Sequence, residues 1–227
     1  MKLNQYVNTI VGAVADIPDR YTGTVPAGGG KTYPGAAASW GAVQSSPDTV
    51  TGGDNGPGYS YHNTEIEGFS INHLSGIGWY GDLGNFQVMP VVGDVPFHSG
   101  LNVHCRYQPG IPGRESEFRH ETEITQAGHY AVTLDRYNIR VETTASTHCG
   151  NMRMTFPQTD KARVLIDLSR RIGGYSEWQE IRVVDSETIE GSIYCPYTAG
   201  GWGHGDGHVT YTLHLYAKFT RAFEKSG

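Results

Sequence analysis

The sequence lacks several features that mark common classes of protein. Its 227 residues include only three cysteines, and none of them forms a Cys-x-x-Cys pair, so the chain has no zinc knuckle or dithiol redox motif. An odd number of cysteines permits at most one internal disulfide among Cys105, Cys149 and Cys195. Buried free thiols are the favoured interpretation, and a single disulfide bridge is the alternative. No run of about 18 apolar residues occurs, so we expect no membrane-spanning helix.

Charge is scarce as well. Charged residues make up 18% of the chain and the net charge is -6. No basic stretch is long enough to neutralise several phosphates, so binding to nucleic acid has no electrostatic support. The first five residues, Met-Lys-Leu-Asn-Gln, lack the regions of a secretory signal peptide, so we expect no signal peptide in this chain.

Glycine and aromatic residues are plentiful. The 31 glycines indicate many turns rather than long helices. Aromatic residues reach 11%, with 14 Tyr and 4 Trp. Aromatic-rich surfaces of low charge suit sugars, whose C–H faces lie on rings, although tyrosine is also a common strand residue.

The second half of the chain has the period-two pattern of β-strands. The clearest example is 209–219, where apolar side chains alternate with polar ones. A hairpin is predicted by 130–134, a turn at 135–138 and a second run from Ile139, and 152–156 predicts another strand. The run 164–166 predicts a strand buried on both faces, and shorter strands are predicted at 180–184 and 188–193. Strands at this spacing predict an all-β fold, an antiparallel β-sandwich with long glycine-rich loops.

The first half has a different character. Residues 12–64 are rich in Gly, Pro, Ala, Ser and Thr with little periodicity, and they predict ordered loops. No linker interrupts the chain, so we expect a single domain over 1–227.

A series of short segments, in order along nearly the whole chain, resembles glycoside hydrolase family 92, whose members are calcium-dependent exo-acting α-mannosidases. Any one segment alone would be weak, and their collinearity makes the resemblance specific. The segments are Tyr6-Val7-Asn8-Thr9-Ile10-Val11-Gly12, Thr32-Tyr33-Pro34-Gly35-Ala36, 43–49, 68–76, 88–90, 128–134, 154–157, 162–169 and 217–223.

The resemblance implies that this chain is the N-terminal β-sandwich of a two-part enzyme that removes terminal mannose from glycans with inversion. It implies a C-terminal α/α toroid that carries the acid and base carboxylates and most ligands of a calcium ion. On this basis the chain itself has no catalytic residue, and its status as an enzyme on its own is uncertain. The full-length protein is expected to be secreted, periplasmic or on the cell surface.

The loop from His73 to Asn85 is the best candidate for contact with substrate. Its four glycines let the backbone turn tightly near a ligand, and it carries Trp79, Tyr80 and Asp82. The resemblance implies that this segment lines the terminal-mannose pocket, so the predicted substrate-binding residues are His73, Gly78, Trp79, Tyr80 and Asp82. A glycine-rich loop that caps the sandwich is the alternative.

The segment Trp202-Gly-His204-Gly-Asp206-Gly-His208 is the second candidate. Two imidazoles and a carboxylate could ligate a metal, but calcium prefers oxygen ligands, and alternating glycines fit a hairpin tip better. We therefore predict no metal ligand in this chain. No nucleophile elbow supports serine or cysteine catalysis.

Two other functions stay open beside the accessory domain of a mannosidase. One is a stand-alone carbohydrate-binding β-sandwich, in which the same loop binds sugar without a partner domain. The other is a structural module of some other assembly.

Overall fold

The computed structural model describes residues 6–13, 32–49, 57–75, 82–98, 113–172, 174–200 and 209–224. Within these ranges the chain forms strands joined by loops, two one-turn 3-10 helices (His120–Thr122 and Tyr197–Ala199) and no α-helix. All strand pairs are antiparallel, which confirms the predicted all-β class. The strands are β1 (Ala36–Ala37), β2 (Gln44–Thr49), β3 (Glu65–Ser70), β4 (Gln87–Val92), β5 (Ser116–Glu117), β6 (Ile124–Gln126), β7 (His129–Leu134), β8 (Ile139–Ala145), β9 (Gly150–Thr155), β10 (Ala162–Asp167), β11 (Arg170–Arg171), β12 (Gly174–Tyr175), β13 (Trp178–Val183), β14 (Thr188–Cys195) and β15 (Tyr211–Lys218).

Two sheets enclose the main hydrophobic core. One has the order β1-β2-β3-β4-β10, with β5 paired to β3, and the other is the meander β6-β7-β8-β9. Ile66, Phe69 and Met89 from the first sheet and Val132 and Val141 from the second are fully buried in one apolar cluster. Burial of apolar side chains between two sheets is the interaction that makes this arrangement a sandwich.

A third sheet, β13-β14-β15, packs beside the sandwich through a second cluster. Phe86 at the start of β4 contacts the inner face of this sheet, where Ile193 is fully buried and Leu213 and Leu215 are half-buried. The short pair β11-β12 precedes this sheet in the chain. The third sheet therefore lies next to the N-terminal end of β4 and the loop that leads into it.

The hairpin prediction is confirmed: β7 and β8 pair in register from His129↔Thr144 to Leu134↔Ile139. The alternation predicted over 209–219 is confirmed in β15, whose residues from Tyr211 to Lys218 are alternately half-buried and exposed.

The prediction of loops throughout 12–64 is wrong at two places, because β1 and β2 lie there. β2 reads Gln-Ser-Ser-Pro-Asp-Thr, and five of its six residues are buried although four of those five are polar. Asp48 and Thr49 are buried with hydrogen-bond partners, and the strand shows no apolar alternation in the sequence. Pro47 is tolerated because β1 pairs only with Gln44 and Ser45.

The prediction that 164–166 is buried on both faces is also too strong. These residues lie in β10, which pairs only with β4 among the described strands, and all three are half-buried. An edge position leaves part of each face of the strand uncovered.

Cys149 is an exposed free thiol and Cys195 is a buried one, whereas Cys105 lies outside the described residues. In the described part of the chain, no helix has the length and apolar character needed to cross a membrane. The extent of the single domain, 1–227, stays a prediction.

Candidate functional site

The structure describes the two ends of the candidate loop, at His73 and at Asp82, which we call its feet, but not residues 76–81 between them. Gly78, Trp79 and Tyr80, three of the predicted substrate-binding residues, lie in 76–81, outside the described residues. His73 and Asp82, the other two, lie in the described segments on either side. Trp202, His204, Asp206 and His208 of the second candidate segment also lie outside the described residues.

The two feet of the loop are clamped together by a pair of asparagines. The backbone N–H of Asn85 donates to Asn72 Oδ1 at 2.7 Å, and Asn72 Nδ2 donates to Asn85 Oδ1 at 3.1 Å. The N–H of Gly84 donates to the carbonyl of Asn72 at 2.9 Å. Asn85 is fully buried, and its Nδ2 also donates to the carbonyl of Arg170 at 2.9 Å. Residues 72 and 85 therefore close the base of the loop, and the Asn85 amide is engaged within the protein.

His73 anchors the first foot to β2. Its ring is buried, with Nδ1 2.8 Å from the carbonyl oxygen of Gln44 and Nε2 3.0 Å from Asp48 Oδ1. Both ring nitrogens of His73 are therefore engaged within the protein. Glycine is needed at Gly58 because a Cβ there would lie 2.9 Å from Asp48 Oδ1 and the backbone has φ +82°.

Asp48 is fully buried and is held in the ionised form by its neighbours. Gln87 Nε2 donates to Asp48 Oδ2 at 2.8 Å, and the Ser70 hydroxyl donates to the same oxygen. Burial by itself would raise the pKa of Asp48, but the hydrogen bond and charge of His73, with the charge of Arg170, bring that pKa below its usual value.

The polar contacts continue across the sheet as a row. Asp48 of β2 lies opposite Gly68 of β3, and Gln87 of β4 lies opposite Asp167 of β10. A Cβ at Gly68 would lie 2.6 Å from Gln87 Cγ, so the missing side chain gives Gln87 the space to reach Asp48 across β3. Arg114, also buried, completes the row: its Nη2 donates to Gln87 Oε1 at 2.6 Å and to Asp167 Oδ2 at 2.7 Å.

Glu67 lies beside this row at the register shift between β2 and β3, and its carboxyl is less well satisfied. The residue is 1% exposed, Oε2 is 3.5 Å from Arg170 Nη2, and Oε1 has no hydrogen-bond partner among the residues that the structure describes. Burial raises the pKa of Glu67 to about 7; the Arg170 charge opposes this shift and the Asp48 charge adds to it.

Asp82 anchors the second foot of the loop. Arg171 binds its carboxylate with both prongs, Nε to Oδ1 at 2.7 Å and Nη2 to Oδ2 at 2.9 Å. The Tyr211 hydroxyl and the Leu83 N–H also donate to Oδ1, at 2.6 and 2.7 Å. Burial would raise the pKa of Asp82, but these hydrogen bonds, those from Arg171 first, lower it.

Arg171 also connects the two glycine-rich segments. The residue is fully buried, its guanidinium lies 5.0 Å from the centre of the Tyr211 ring, and Nη1 donates to the carbonyl of Pro196 at 2.8 Å. Pro196 and Tyr211 lie on either side of 201–208 in the chain, so that segment and the Trp79 loop share one anchor.

The described residues do not fit a calcium site. Asp48 and Asp82, the carboxylates at the loop feet, already accept hydrogen bonds on both oxygens from the donors given above. Among the residues that the structure describes, no group of three or more His, Cys, Asp or Glu side chains could hold a metal ion. A calcium ion would thus need ligands from elsewhere, and we derive no step through it.

Sequence reasoning included His73 and Asp82 but missed their partners. Asp48, Arg114 and Arg171 lie far from the loop in sequence, and nothing in their local pattern marks them. One signal was present: Arg170 and Arg171 are consecutive cations close to the predicted apolar strand 164–166, where a buried charge needs a partner.

Comparison with known proteins places these features in a family. Residues 6–227 match the Glycosyl hydrolase family 92 N-terminal domain. A family GH92 α-mannosidase of Bacteroides thetaiotaomicron is 30% identical, with a TM-score of 0.82 over 99% of this chain and 26% of that one. An uncharacterized secreted glycosidase of Arthroderma benhamiae is 27% identical over 164 residues, which are 70% of this chain and 20% of that protein. A GH92 inverting mannosidase of Bacteroides thetaiotaomicron is 23% identical, with a TM-score of 0.51 over 71% of this chain and 19% of that one. At this identity the likeness supports the fold alone.

The chain spans about a quarter of the length of the solved relatives it matches. The match extends over nearly all of the sequence and the fold agrees, which confirms the resemblance drawn from the collinear segments: the chain belongs to the glycosyl hydrolase family 92 N-terminal domain family.

Proposed function

We propose that this chain is the N-terminal, substrate-shaping domain of an exo-acting, inverting α-mannosidase that removes terminal mannose from glycans. The observation that carries the proposal is the family match over residues 6–227, joined to 30% identity with an α-mannosidase of which this chain spans 26%. The remaining three-quarters of such a protein leaves room for a catalytic domain such as the expected α/α toroid.

The chemistry of the described residues agrees with a role in positioning rather than in proton transfer. Inverting hydrolysis needs an acid and a base carboxyl group roughly 6.5–9.5 Å apart with room for a water molecule. Asp48 is buried and hydrogen-bonded to His73, Ser70 and Gln87, and Asp82 is buried in an ion pair with Arg171, so both carboxylates are engaged within the protein. We therefore assign both proton-transfer groups, and the calcium ion, to the further domain.

The described feet give the loop a defined job within this proposal. His73 and Asp82 act through the loop rather than on the sugar, since each is bound to buried partners within the protein. Trp79, with Gly78 and Tyr80, is the part of the loop that contacts mannose. Secretion, the periplasm or the cell surface is the proposed location of the full-length protein, in keeping with the secreted relative.

Two measurements test the proposal. The coding sequence after residue 227 is expected to continue in frame into the catalytic domain. The longer protein should release mannose from α-mannobioses, with β-mannose as the first product seen by NMR, and this chain alone should release none. Release by this chain that disappears on substitution of one of its own Asp or Glu residues contradicts the assignment of proton transfer.

Trp79→Ala in the longer protein tests the role of the loop. A sugar-stacking ring contributes about 1–3 kcal/mol of binding, whereas a core tryptophan would cost about 3–5 kcal/mol of stability. We expect a large loss of kcat/KM with a nearly unchanged Tm. Trp40→Ala is the matched control, since Trp40 is 99% exposed on the turn between β1 and β2. Unchanged kinetics for Trp79→Ala would remove the loop from the active site.

A stand-alone carbohydrate-binding module is the alternative outcome. It is favoured if the reading frame ends without a further domain while this chain still binds mannosides.

A further inference from the structure

The outer face of the third sheet carries aromatic and polar side chains to which the proposed function gives no role. β13, β14 and β15 pair without a register shift, so every second residue of each strand shares one face. The inner face carries the apolar residues of the second core cluster, including Ile193 and Leu213. The outer face carries three rows of three: Trp178, Tyr194 and Thr212; Glu180, Ser192 and His214; Arg182, Glu190 and Tyr216.

Aromatic side chains stand at the two ends of this face. Trp178 and Tyr194 are cross-strand neighbours and are 49% and 36% exposed, and Tyr216 at the other end is 66% exposed. Four residues separate the two end rows along a strand, which corresponds to roughly 13–14 Å. The face therefore offers two separated apolar ring surfaces to solvent.

The middle of the face is polar and forms a hollow of about 360 Å³, lined by Glu180, Arg182, Glu190, Ser192, His214 and Tyr216 with backbone neighbours. That volume is at the lower end of the range of small-molecule sites. The Ser192 hydroxyl is 2.8 Å from His214 Nδ1, so Nε2 is the ring nitrogen that can bond to a ligand. Arg182 pairs with Glu190, which fixes donors and acceptors side by side across two strands.

The charges of the face argue against two kinds of occupant. Two carboxylates and one guanidinium leave no positive excess, so a phosphate-bearing ligand is not attracted. The core of a protein interface is depleted of charged side chains, whereas Glu180, Arg182 and Glu190 lie in the second and third rows of this face. A neutral ligand with apolar faces and many hydroxyl groups matches both the rings and the polar hollow.

We propose that the outer face of the β13-β14-β15 sheet is a second glycan-binding surface that holds a neutral oligosaccharide by ring stacking on Trp178, Tyr194 and Tyr216. The choice of a mannose oligosaccharide rests on the proposed function. Such a surface would keep the protein on a branched mannan while terminal residues are removed elsewhere.

Affinity electrophoresis of this chain in gels that contain yeast α-mannan tests the surface. We expect retardation by mannan, and a roughly five-fold or greater rise in dissociation constant for Trp178→Ala and for Tyr216→Ala, as loss of one stacked ring implies. Trp40→Ala removes a ring that is more exposed than either and lies outside the face, so this variant should be retarded like the parent. Circular dichroism melts establish that each variant is folded; Tyr216→Phe, which keeps the ring, should retain binding.

No retardation of the parent chain, or equal retardation of all variants, overturns the proposal. Its failure is distinguishable from that of the proposed function. Mannose release by the longer protein without retardation of this chain removes only the second surface. Retardation that depends on Trp178 and Tyr216, without mannose release by the longer protein, removes only the mannosidase assignment.

Discussion

Glu67 offers the sharpest test of how the buried polar row is balanced, because two opposing effects act on one carboxyl group. Burial favours the neutral acid, whereas Arg170, 3.5 Å away, favours the carboxylate. Oε1 finds no hydrogen-bond partner in the described part of the chain, which disfavours the charged form further. Burial dominates, and the pKa of Glu67 in the folded protein is about 7 against an ordinary value of 4.5.

The sign of the effect on stability follows from this difference. Below about pH 4.5 the carboxyl is protonated in both states and contributes nothing to the pH dependence. As pH rises from about 4.5 to 7, the unfolded chain ionises first, so the folded state loses stability relative to it. Above pH 7 the full penalty applies, and a difference of roughly 2.5 pKa units corresponds to about 3 kcal/mol.

Glu67→Gln removes this titration and keeps the shape of the side chain. We expect the free energy of unfolding of Glu67→Gln, minus that of the parent, to rise by about 3 kcal/mol between pH 4.5 and pH 8. For a domain of this size that corresponds to a relative gain in Tm of roughly 6–12 °C. Urea unfolding at intervals of one pH unit measures the difference directly. Glu177→Gln, an exposed site before β13, is the control and should follow the parent at every pH.

A difference that stays flat across this range would refute the reasoning. A difference that falls with rising pH would show that the ion pair with Arg170 dominates and that Glu67 is ionised throughout.

Three further predictions concern the Asp82–Arg171 ion pair and the buried polar row. Arg171→Met leaves the Asp82 carboxylate buried without its main partner and should cost about 3–5 kcal/mol in denaturant unfolding, whereas Arg153→Met, which breaks the exposed pair with Glu142, should leave the free energy of unfolding nearly unchanged. Gly68→Ala should displace Gln87 from Asp48 and cost about 1–3 kcal/mol; Gly93→Ala, where nothing lies within 4 Å but φ is +83°, should show only the smaller backbone cost. Asp48, whose pKa is lowered, stabilises the fold above its unfolded pKa, and this contribution is lost as pH falls through the folded value; Asp48→Asn should therefore flatten the acid limb of the stability curve below about pH 4.

The parts of the fold that the sequence predicts are those where one face of a strand meets water. β15 and β8 alternate because the residues of their outer faces are partly or fully exposed to solvent, and both were predicted. β2 was not, because its buried positions hold polar side chains such as Asp48 and Thr49, whose hydrogen-bond partners lie elsewhere in the chain. A local pattern contains no record of such partners, so buried polar strands look like loops.

The same reasoning explains what could be predicted of the candidate site. The glycine and aromatic content marked the loop that begins at His73, and the collinear family segments supported it. The partners that fix its feet, Asp48 at one end and Arg171 at the other, are 25 and 89 residues away from the residues they hold. Long-range ion pairs of this kind depend on topology, which a single sequence does not reveal.

The two feet of the loop are held by elements of different sheets, and this has a consequence for function. His73 is bound to β2 of the sandwich, whereas Asp82 is bound through Arg171 and Tyr211 to the third sheet. A buried ion pair adds little net stability over an apolar pair of the same size, but it has one favourable geometry, so its value here is in orientation. Arg171 also donates to the carbonyl of Pro196, so the end of the loop at Asp82, the 3-10 helix that follows Pro196 and the start of β15 share one set of contacts. Substitutions at Arg171 or Tyr211 should therefore disturb the described end of the loop at Asp82 even where the sandwich remains folded.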